Sequence, residues 1–214
     1  MNLAPGAFLT VWAFLALNVL SPGPNVLNTI ATAMGSGRRA GLAAAAGVGL
    51  GVAIWSLAMT LGMAGAIRLF PPVRAVLTVI AICLLSLFAL RYLRAAIAGW
   101  GGGGRISGRG GLAARESFLR SLSVNATNPK ALTTWVAILA LFPTGRAGAV
   151  DVAILCAGAS LVAATIHVAY AVAFSTAPAA RLYLRAAPVV NAAVALFFVV
   201  FAARLGYGLW RGGS

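Results

Sequence analysis

The chain has 214 residues, of which 62% are hydrophobic and only 8% are charged. This composition is too apolar to cover a soluble globule with charge, so it indicates an integral membrane protein. In a soluble protein the net charge of +14 would favour nucleic-acid binding, but here arginines lie at the ends of apolar segments, where basic residues set membrane orientation. We therefore predict no nucleic-acid partner and contact with membrane lipid instead.

Six apolar stretches are long enough to cross a bilayer as helices, which takes about 20 residues. They lie at residues 7–34, 40–66, 73–98, 122–143, 150–175 and 188–209. The alternating segments of about 10 residues that are typical of a membrane β-barrel are absent from the sequence. The predicted fold is an all-α integral membrane protein with six transmembrane helices.

The first stretch is interrupted by the run LSPGPNVL at residues 20–27. Proline removes a backbone donor and glycine adds flexibility, so this run predicts a broken helix. Non-helical backbone at membrane depth is tolerated only inside protein or beside a water-filled cavity. The polar side chains of this stretch recur at helical spacing, so they lie on one face of the helix, and that face includes the break. We expect them to line a cavity; the alternative is that they form hydrogen bonds between helices. The predicted substrate-binding residues of this stretch are Asn18, Ser21, Pro22, Gly23, Pro24, Asn25 and Asn28.

The second stretch carries a face of small residues that includes Gly47 and Gly51. Small residues allow helices to approach closely, either within one chain or between subunits. We predict that this face packs closely against another helix rather than contacting a ligand. The partner helix belongs either to the same chain or to a second subunit of a homo-oligomer.

Residues 99–120 differ from the rest of the chain because GWGGGGRISGRGG is too glycine-rich for a helix and too polar to be buried. We predict a flexible cytoplasmic linker that divides a single transmembrane domain into halves at residues 1–98 and 121–214. Three helices in each half give the halves opposite orientations, which is the pattern of an inverted repeat.

The fourth stretch repeats the combination of asparagine and proline in NATNPKAL, residues 125–132. Discontinuous helices in corresponding positions of two halves point to a central binding site. Asn128 and Pro129 also have the chemistry of an ordinary helix start. Lys130, the only lysine, either extends to the interface or reaches an internal anion site. We predict that Asn125, Asn128, Pro129 and Lys130 bind substrate.

His167 is the one histidine, and it lies inside the fifth stretch. It is the candidate proton relay. The alternative is a histidine that packs inside the helical bundle with its hydrogen bonds satisfied. Cys83 and Cys156 both lie in apolar stretches and are interpreted as small hydrophobic residues. The sequence contains no enzyme motif and no metal-ligand set, so we predict no enzyme activity, cofactor or metal.

An N-terminus outside the cell satisfies the positive-inside bias, because ten arginines then fall on the cytoplasmic side and five outside. The cytoplasmic set is Arg38, Arg39, Arg91, Arg94, Arg105, Arg109, Arg115, Arg120, Arg181 and Arg185.

These motifs together resemble the LysE/RhtB family of bacterial amino-acid exporters over nearly the whole chain. The matching features are SPGP at residues 21–24, the basic pair at 38–39 with glycines at 41, 47 and 51, NPK at 128–130, and LFP at 141–143. The resemblance implies six helices in the bacterial cytoplasmic membrane and efflux of small amino acids or their derivatives, coupled to the proton gradient.

We therefore expect a secondary exporter that works by alternating access of two inverted halves. Helix N-termini at the breaks favour a substrate carboxylate, and asparagine side chains and exposed carbonyls would take its ammonium group. A neutral amino acid fits better than a cationic one because the sequence shows no buried carboxylate. The alternatives are a passive channel or facilitator, an intramembrane enzyme that uses His167 as a base, and a non-transporting assembly subunit.

Overall fold

The computed structural model describes residues 2–69, 73–100, 106–143 and 146–211. The regular elements in these ranges are α-helices, as predicted. They are α1 (Pro5–Leu20), α2 (Pro24–Leu69), α3 (Val73–Gly99), α4 (Ala114–Ala126), α5 (Pro129–Leu141), α6 (Ala149–Ala173) and α7 (Ala177–Trp210).

The first predicted stretch is broken where the sequence places the break. The helix α1 ends at Leu20, Ser21 is extended with ψ at 144°, and α2 begins at Pro24. We call residues 21–23 the first break. The boundary between the first and second stretches is a kink inside α2, where Gly37 has a φ of 86°. Because that φ lies in the left-handed region, glycine is the residue that fits the kink without strain.

The fourth predicted stretch also consists of two helices. The helix α4 ends at Ala126 and α5 begins at Pro129, so residues 127–128 form a second break. Two helices begin earlier than predicted: α4 starts at Ala114, within the predicted linker, and α7 starts at Ala177 rather than at residue 188. Pro188, at the predicted start of the sixth stretch, lies inside α7.

Among the described residues, four helical segments are long and apolar enough to cross a membrane, namely Pro24–Gly62, Ala75–Gly99, Ala149–Ala173 and Ala177–Trp210. The helices α1 and α5 are apolar but shorter. The six predicted stretches thus correspond to four long segments and two short helices beside the breaks. The arrangement of six crossings as an inverted repeat stays a prediction.

The helix α2 is at the centre of the packing, against α4 and α6, while α3 packs against α7. The small residues of α2 allow this close approach, as predicted. A Cβ atom at Gly47 would collide with the carbonyl oxygen of Phe118 on α4, and one at Gly49 would lie 2.9 Å from the Cβ of Ala164 on α6. The small-residue face therefore contacts helices of the same chain.

The described part of the linker is held against α2, which differs from the flexible linker predicted. The Arg109 N–H donates to the Ala31 carbonyl at 2.8 Å, and the Ser36 hydroxyl donates to the Arg109 carbonyl at 2.6 Å. A side chain at Gly35 would collide with the Arg109 backbone. Glycine at position 35 and the Ser36 hydroxyl thus allow this polar backbone to bind α2. We call residues 106–112 the docked segment. Residues 101–105 of the linker lie outside the described residues.

Candidate functional site

The first break exposes the last carbonyl groups of α1, and Lys130 binds them from the other half of the chain. The Lys130 ammonium group donates to the Asn18 carbonyl at 2.7 Å, to the Ser21 carbonyl at 3.3 Å and to Ser21 Oγ at 2.6 Å. A helix C-terminus carries partial negative charge, so it favours an ammonium group. Lys130 therefore points into the protein and does not extend to the interface.

The position of Lys130 follows from the local chemistry of the second break. Asn128 Oδ1 accepts a hydrogen bond from the Lys130 backbone N–H at 3.0 Å, and Pro129 occupies the first turn of α5. Asparagine at the cap followed by proline is a favourable start for a helix. This cap holds the root of the Lys130 side chain beside the first break.

Two tyrosines complete the first break, and the sequence did not single them out. Tyr170 Oη donates to the Leu20 carbonyl at 2.8 Å, and Tyr92 Oη lies 2.9 Å from Ser21 Oγ. Lys130 Nζ also lies 5.5 Å from the centre of the Tyr92 ring. A tyrosine in an apolar helix usually combines ring packing with one hydrogen bond, so nothing local in the sequence distinguished these two.

The second break is bonded from the first half in the same manner. Trp55 Nε1, on α2, donates to the Asn125 carbonyl at the end of α4 at 3.3 Å. The Asn128 N–H reaches the same carbonyl at 3.2 Å. Each break is therefore stabilised by side chains from the opposite half of the chain. Lys130 and Tyr170 bind at the first break, and Trp55 binds at the second.

A small cavity of about 40 Å³ lies between the two breaks. That volume holds roughly three water molecules. Seven of the predicted residues line it: Asn18, Gly23, Asn25, Asn125, Asn128, Lys130 and His167. Its other walls, which the sequence did not predict, are Leu15, Val19, Val26, Val52, Ala131, Thr134 and Trp135.

Three polar atoms on the cavity wall have no hydrogen-bond partner in the described part of the chain. They are Asn25 Oδ1, Asn125 Oδ1 and His167 Nε2. His167 Nδ1 lies 2.9 Å from the Ala163 carbonyl, so this nitrogen donates and Nε2 is left as an acceptor. A buried polar group without a partner costs about 1–3 kcal/mol. Three such acceptors around one cavity can bind any group that brings donors, water included.

The remaining predicted residues lie near the cavity or apart from it. Ser21 contributes through its bonds to Lys130, and the prolines at 22, 24 and 129 lie at the ends of the broken helices. Asn28 is buried in a different environment. Its Oδ1 accepts from Arg109 and Arg120, and its amide nitrogen donates to Ser121 Oγ at 2.7 Å. The structure therefore separates Asn28 from the cavity that lies near Asn25.

Within the described residues, no group of three or more histidine, cysteine, aspartate or glutamate side chains could hold a metal ion. The two cysteines, Cys83 and Cys156, are both free. The cavity chemistry consists of one ammonium group, amide groups, one imidazole and apolar walls.

A polar cavity between two broken helices is the arrangement in which many membrane transporters place their central site. The chain is a member of the LysE type translocator family, whose family model matches residues 15–209. This confirms the resemblance found in the sequence. Membership implies membrane transport of the amino-acid export kind, in a multi-pass membrane protein. No curated protein and no solved structure matches the chain.

Proposed function

We propose that the chain is a secondary exporter of small neutral amino acids, driven by the proton gradient across the bacterial cytoplasmic membrane. The observation that carries the proposal is the cavity between the two breaks, where three unpartnered acceptors face the same space as a single ammonium group. A zwitterion carries both a carboxylate and an ammonium group. Its carboxylate can bind the ammonium group of the cavity, and its own ammonium group can donate to the unpartnered acceptors.

The carboxylate would bind on the side of Lys130 and the first turn of α2. Asn25 and Val26 line the cavity at the start of α2, and the first N–H groups of a helix have no partner within the helix. A helix N-terminus and an ammonium group both stabilise an anion.

The substrate's ammonium group would bind the asparagine side chains. Asn25 Oδ1 and Asn125 Oδ1 are both unpartnered acceptors on the cavity wall. No aspartate or glutamate is among the lining residues, so the wall has no carboxylate for the second positive charge of a cationic amino acid. The apolar walls at Leu15 and Trp135 suit a small aliphatic side chain.

Transport by alternating access requires the cavity to open, because an amino acid is larger than the roughly three water molecules that fit in about 40 Å³. The two breaks and the kink at Gly37 are the points where the helices can bend. Each break is tied to the opposite half by side chains, so movement of one half against the other must exchange these hydrogen bonds. Substrate groups would replace them.

Proton coupling would use His167, whose unpartnered Nε2 lies on the cavity wall. An imidazole nitrogen with a free lone pair can take a proton. A proton there would add a second positive charge to the wall that holds Lys130, and so change the affinity for a substrate.

The test is export of a panel of radiolabelled amino acids from preloaded cells, with and without an uncoupler. The proposal expects neutral amino acids to leave against their gradient and the uncoupler to stop this. Export that only ever runs downhill, uncoupler or not, would indicate the passive facilitator instead.

One contact favours the enzyme alternative at first sight, since Ser21 Oγ lies 2.6 Å from Lys130 Nζ, as in a serine–lysine pair. We assign this contact to the support of the first break. The ammonium group also donates to two backbone carbonyls, and the Ser21 hydroxyl donates to the Asn18 carbonyl at 2.7 Å. A general base needs a free lone pair on nitrogen, and three oxygen atoms surround this nitrogen, so we favour a structural and electrostatic role for Lys130.

A further inference from the structure

The environment of Asn28 holds two arginine side chains that share one neutral acceptor. Asn28 Oδ1 accepts from Arg109 Nη1 at 3.0 Å and from Arg120 Nε at 3.2 Å. Two guanidinium groups within hydrogen-bond distance of one oxygen repel each other, and an amide oxygen offers no negative charge to offset this. The arrangement is typical of a place that receives an anion.

The chain's own carboxylates are engaged elsewhere. Its two acidic residues are Glu116 and Asp151. Glu116 accepts from the Ala113 N–H at 3.1 Å, and Asp151 accepts from the Gly148 and Asn2 N–H groups at the start of α6. Within the described residues, neither carboxylate is bonded to the arginine pair, which leaves the pair available to an anion from outside the chain.

The position of the pair relates it to the cavity. Asn28 is three residues after Asn25 on α2, so it lies one helical turn away on the same face. Asn28 is only 7% exposed, whereas the Arg120 side chain is exposed. The shared acceptor is therefore buried while one of its two donors reaches the surface, on the side that the arginine distribution predicts to be cytoplasmic.

We propose that Arg109, Arg120 and Asn28 form a capture site for the carboxylate of a cytoplasmic amino acid before it reaches the cavity. The carboxylate replaces Asn28 Oδ1 as the shared acceptor of the two guanidinium groups. A small carboxylate fits this place better than a lipid headgroup because Asn28 and its partner Ser121 are buried between α2 and α4. This inference rests on the proposed function, since it assigns a further step to the same substrate.

Capture also affects the docked segment. Arg109 belongs to that segment, and its backbone is bonded to Ala31 and Ser36 of α2. When the Arg109 side chain exchanges Asn28 for a substrate carboxylate, one of the bonds that hold the segment against α2 is released.

The direct test measures how fast an arginine-specific dicarbonyl reagent modifies each arginine, read by peptide mass spectrometry. The purified protein is placed in nanodiscs of phosphatidylcholine, with acetate or the uncharged acetamide at the same concentration. We expect acetate to slow modification of Arg109 and Arg120 severalfold and to leave Arg115, an exposed arginine on α4, unchanged. Equal rates in acetate and acetamide would overturn the proposal.

A second arm separates carboxylate from lipid phosphate. Nanodiscs that contain phosphatidylglycerol are compared with phosphatidylcholine alone, both without acetate. Protection of the pair by the anionic lipid, with no further effect of acetate, would assign the site to a headgroup and overturn carboxylate capture. Asn28→Asp places a carboxylate at the shared acceptor, so it should protect both arginines without acetate. None of these readouts requires transport, so they fail or succeed independently of the proposed function.

Once a substrate is known, export kinetics give the matching result. Losing one charge-assisted hydrogen bond weakens binding by about tenfold or more. Arg120→Gln should therefore raise the cytoplasmic concentration for half-maximal export about tenfold and keep the maximal rate, whereas Arg115→Gln should change neither. An unchanged half-maximal concentration in Arg120→Gln would remove this arginine from the route.

Discussion

The ammonium group of Lys130 donates a 2.7 Å hydrogen bond to the backbone carbonyl of Asn18. Lys130 lies in the first turn of α5, in the second half of the chain. Asn18 lies in the last turn of α1. A single side chain thus neutralises the negative end of one broken helix from the start of another. This bond gives the Lys130 ammonium group a partner inside the helical bundle, and it connects the two breaks on either side of the cavity.

Lys130→Met should lower both stability and export. The variant leaves the Asn18 and Ser21 carbonyls without their donor, and loss of a charge-assisted hydrogen bond costs about 1.5–3 kcal/mol. Thermal unfolding of the purified protein and export at equal membrane abundance are the measurements. Wild-type behaviour in both would show that the ammonium group contributes nothing at the first break.

Gly47→Leu should reduce the amount of folded protein. A side chain at this position would collide with the Phe118 carbonyl, so α2 and α4 could no longer approach as closely. Gly62→Leu is the matched control, because a Cβ there meets nothing within 4 Å. The measurement is the folded fraction by size-exclusion chromatography in detergent. Equal yields of the two variants would contradict the close-packing assignment.

The two breaks could be predicted because proline, glycine and a capping asparagine act through local chemistry. Six of the predicted cavity residues followed from their position at or beside these breaks, and His167 followed from being the one histidine of the chain. The partners of Asn28 could not be predicted, since helical spacing gives the face of a residue but not the distant segment that covers it. The docked segment shows the same limit: its glycine-rich composition indicates flexibility, and only the contact with Gly35 and Ser36 fixes it.

Topology can be tested with single cysteines in a background that lacks Cys83 and Cys156. Ser107→Cys and Ala149→Cys are both at exposed positions, and they should be labelled from opposite sides of the membrane. With the N-terminus outside, an impermeant reagent added to intact cells should label position 149 and leave position 107 protected. The reverse labelling pattern would place the N-terminus inside.

His167→Gln should separate transport from coupling. Glutamine keeps polar groups in the cavity but cannot take a proton near neutral pH. In proteoliposomes, exchange of labelled for unlabelled substrate should continue, while accumulation driven by an imposed pH gradient should be lost. Persistence of gradient-driven accumulation in the variant would assign His167 to packing.

If the cavity between the two breaks binds the exported amino acid, loss of the Asn125 side chain should weaken that binding. Asn125 Oδ1 is buried without a partner, so its removal breaks no hydrogen bond of that oxygen in the folded protein. Thr60 Oγ1 is likewise buried and unpartnered but is not among the cavity residues, which makes Thr60→Val the control.

The measurement is equilibrium binding of the radiolabelled substrate to purified protein, with thermal unfolding of the same samples. Asn125→Ala should unfold near the wild-type temperature and bind about tenfold more weakly, as expected for one lost hydrogen bond to a charged group, whereas Thr60→Val should bind like the wild type. Wild-type affinity in Asn125→Ala would contradict the account and place the binding site elsewhere in the protein.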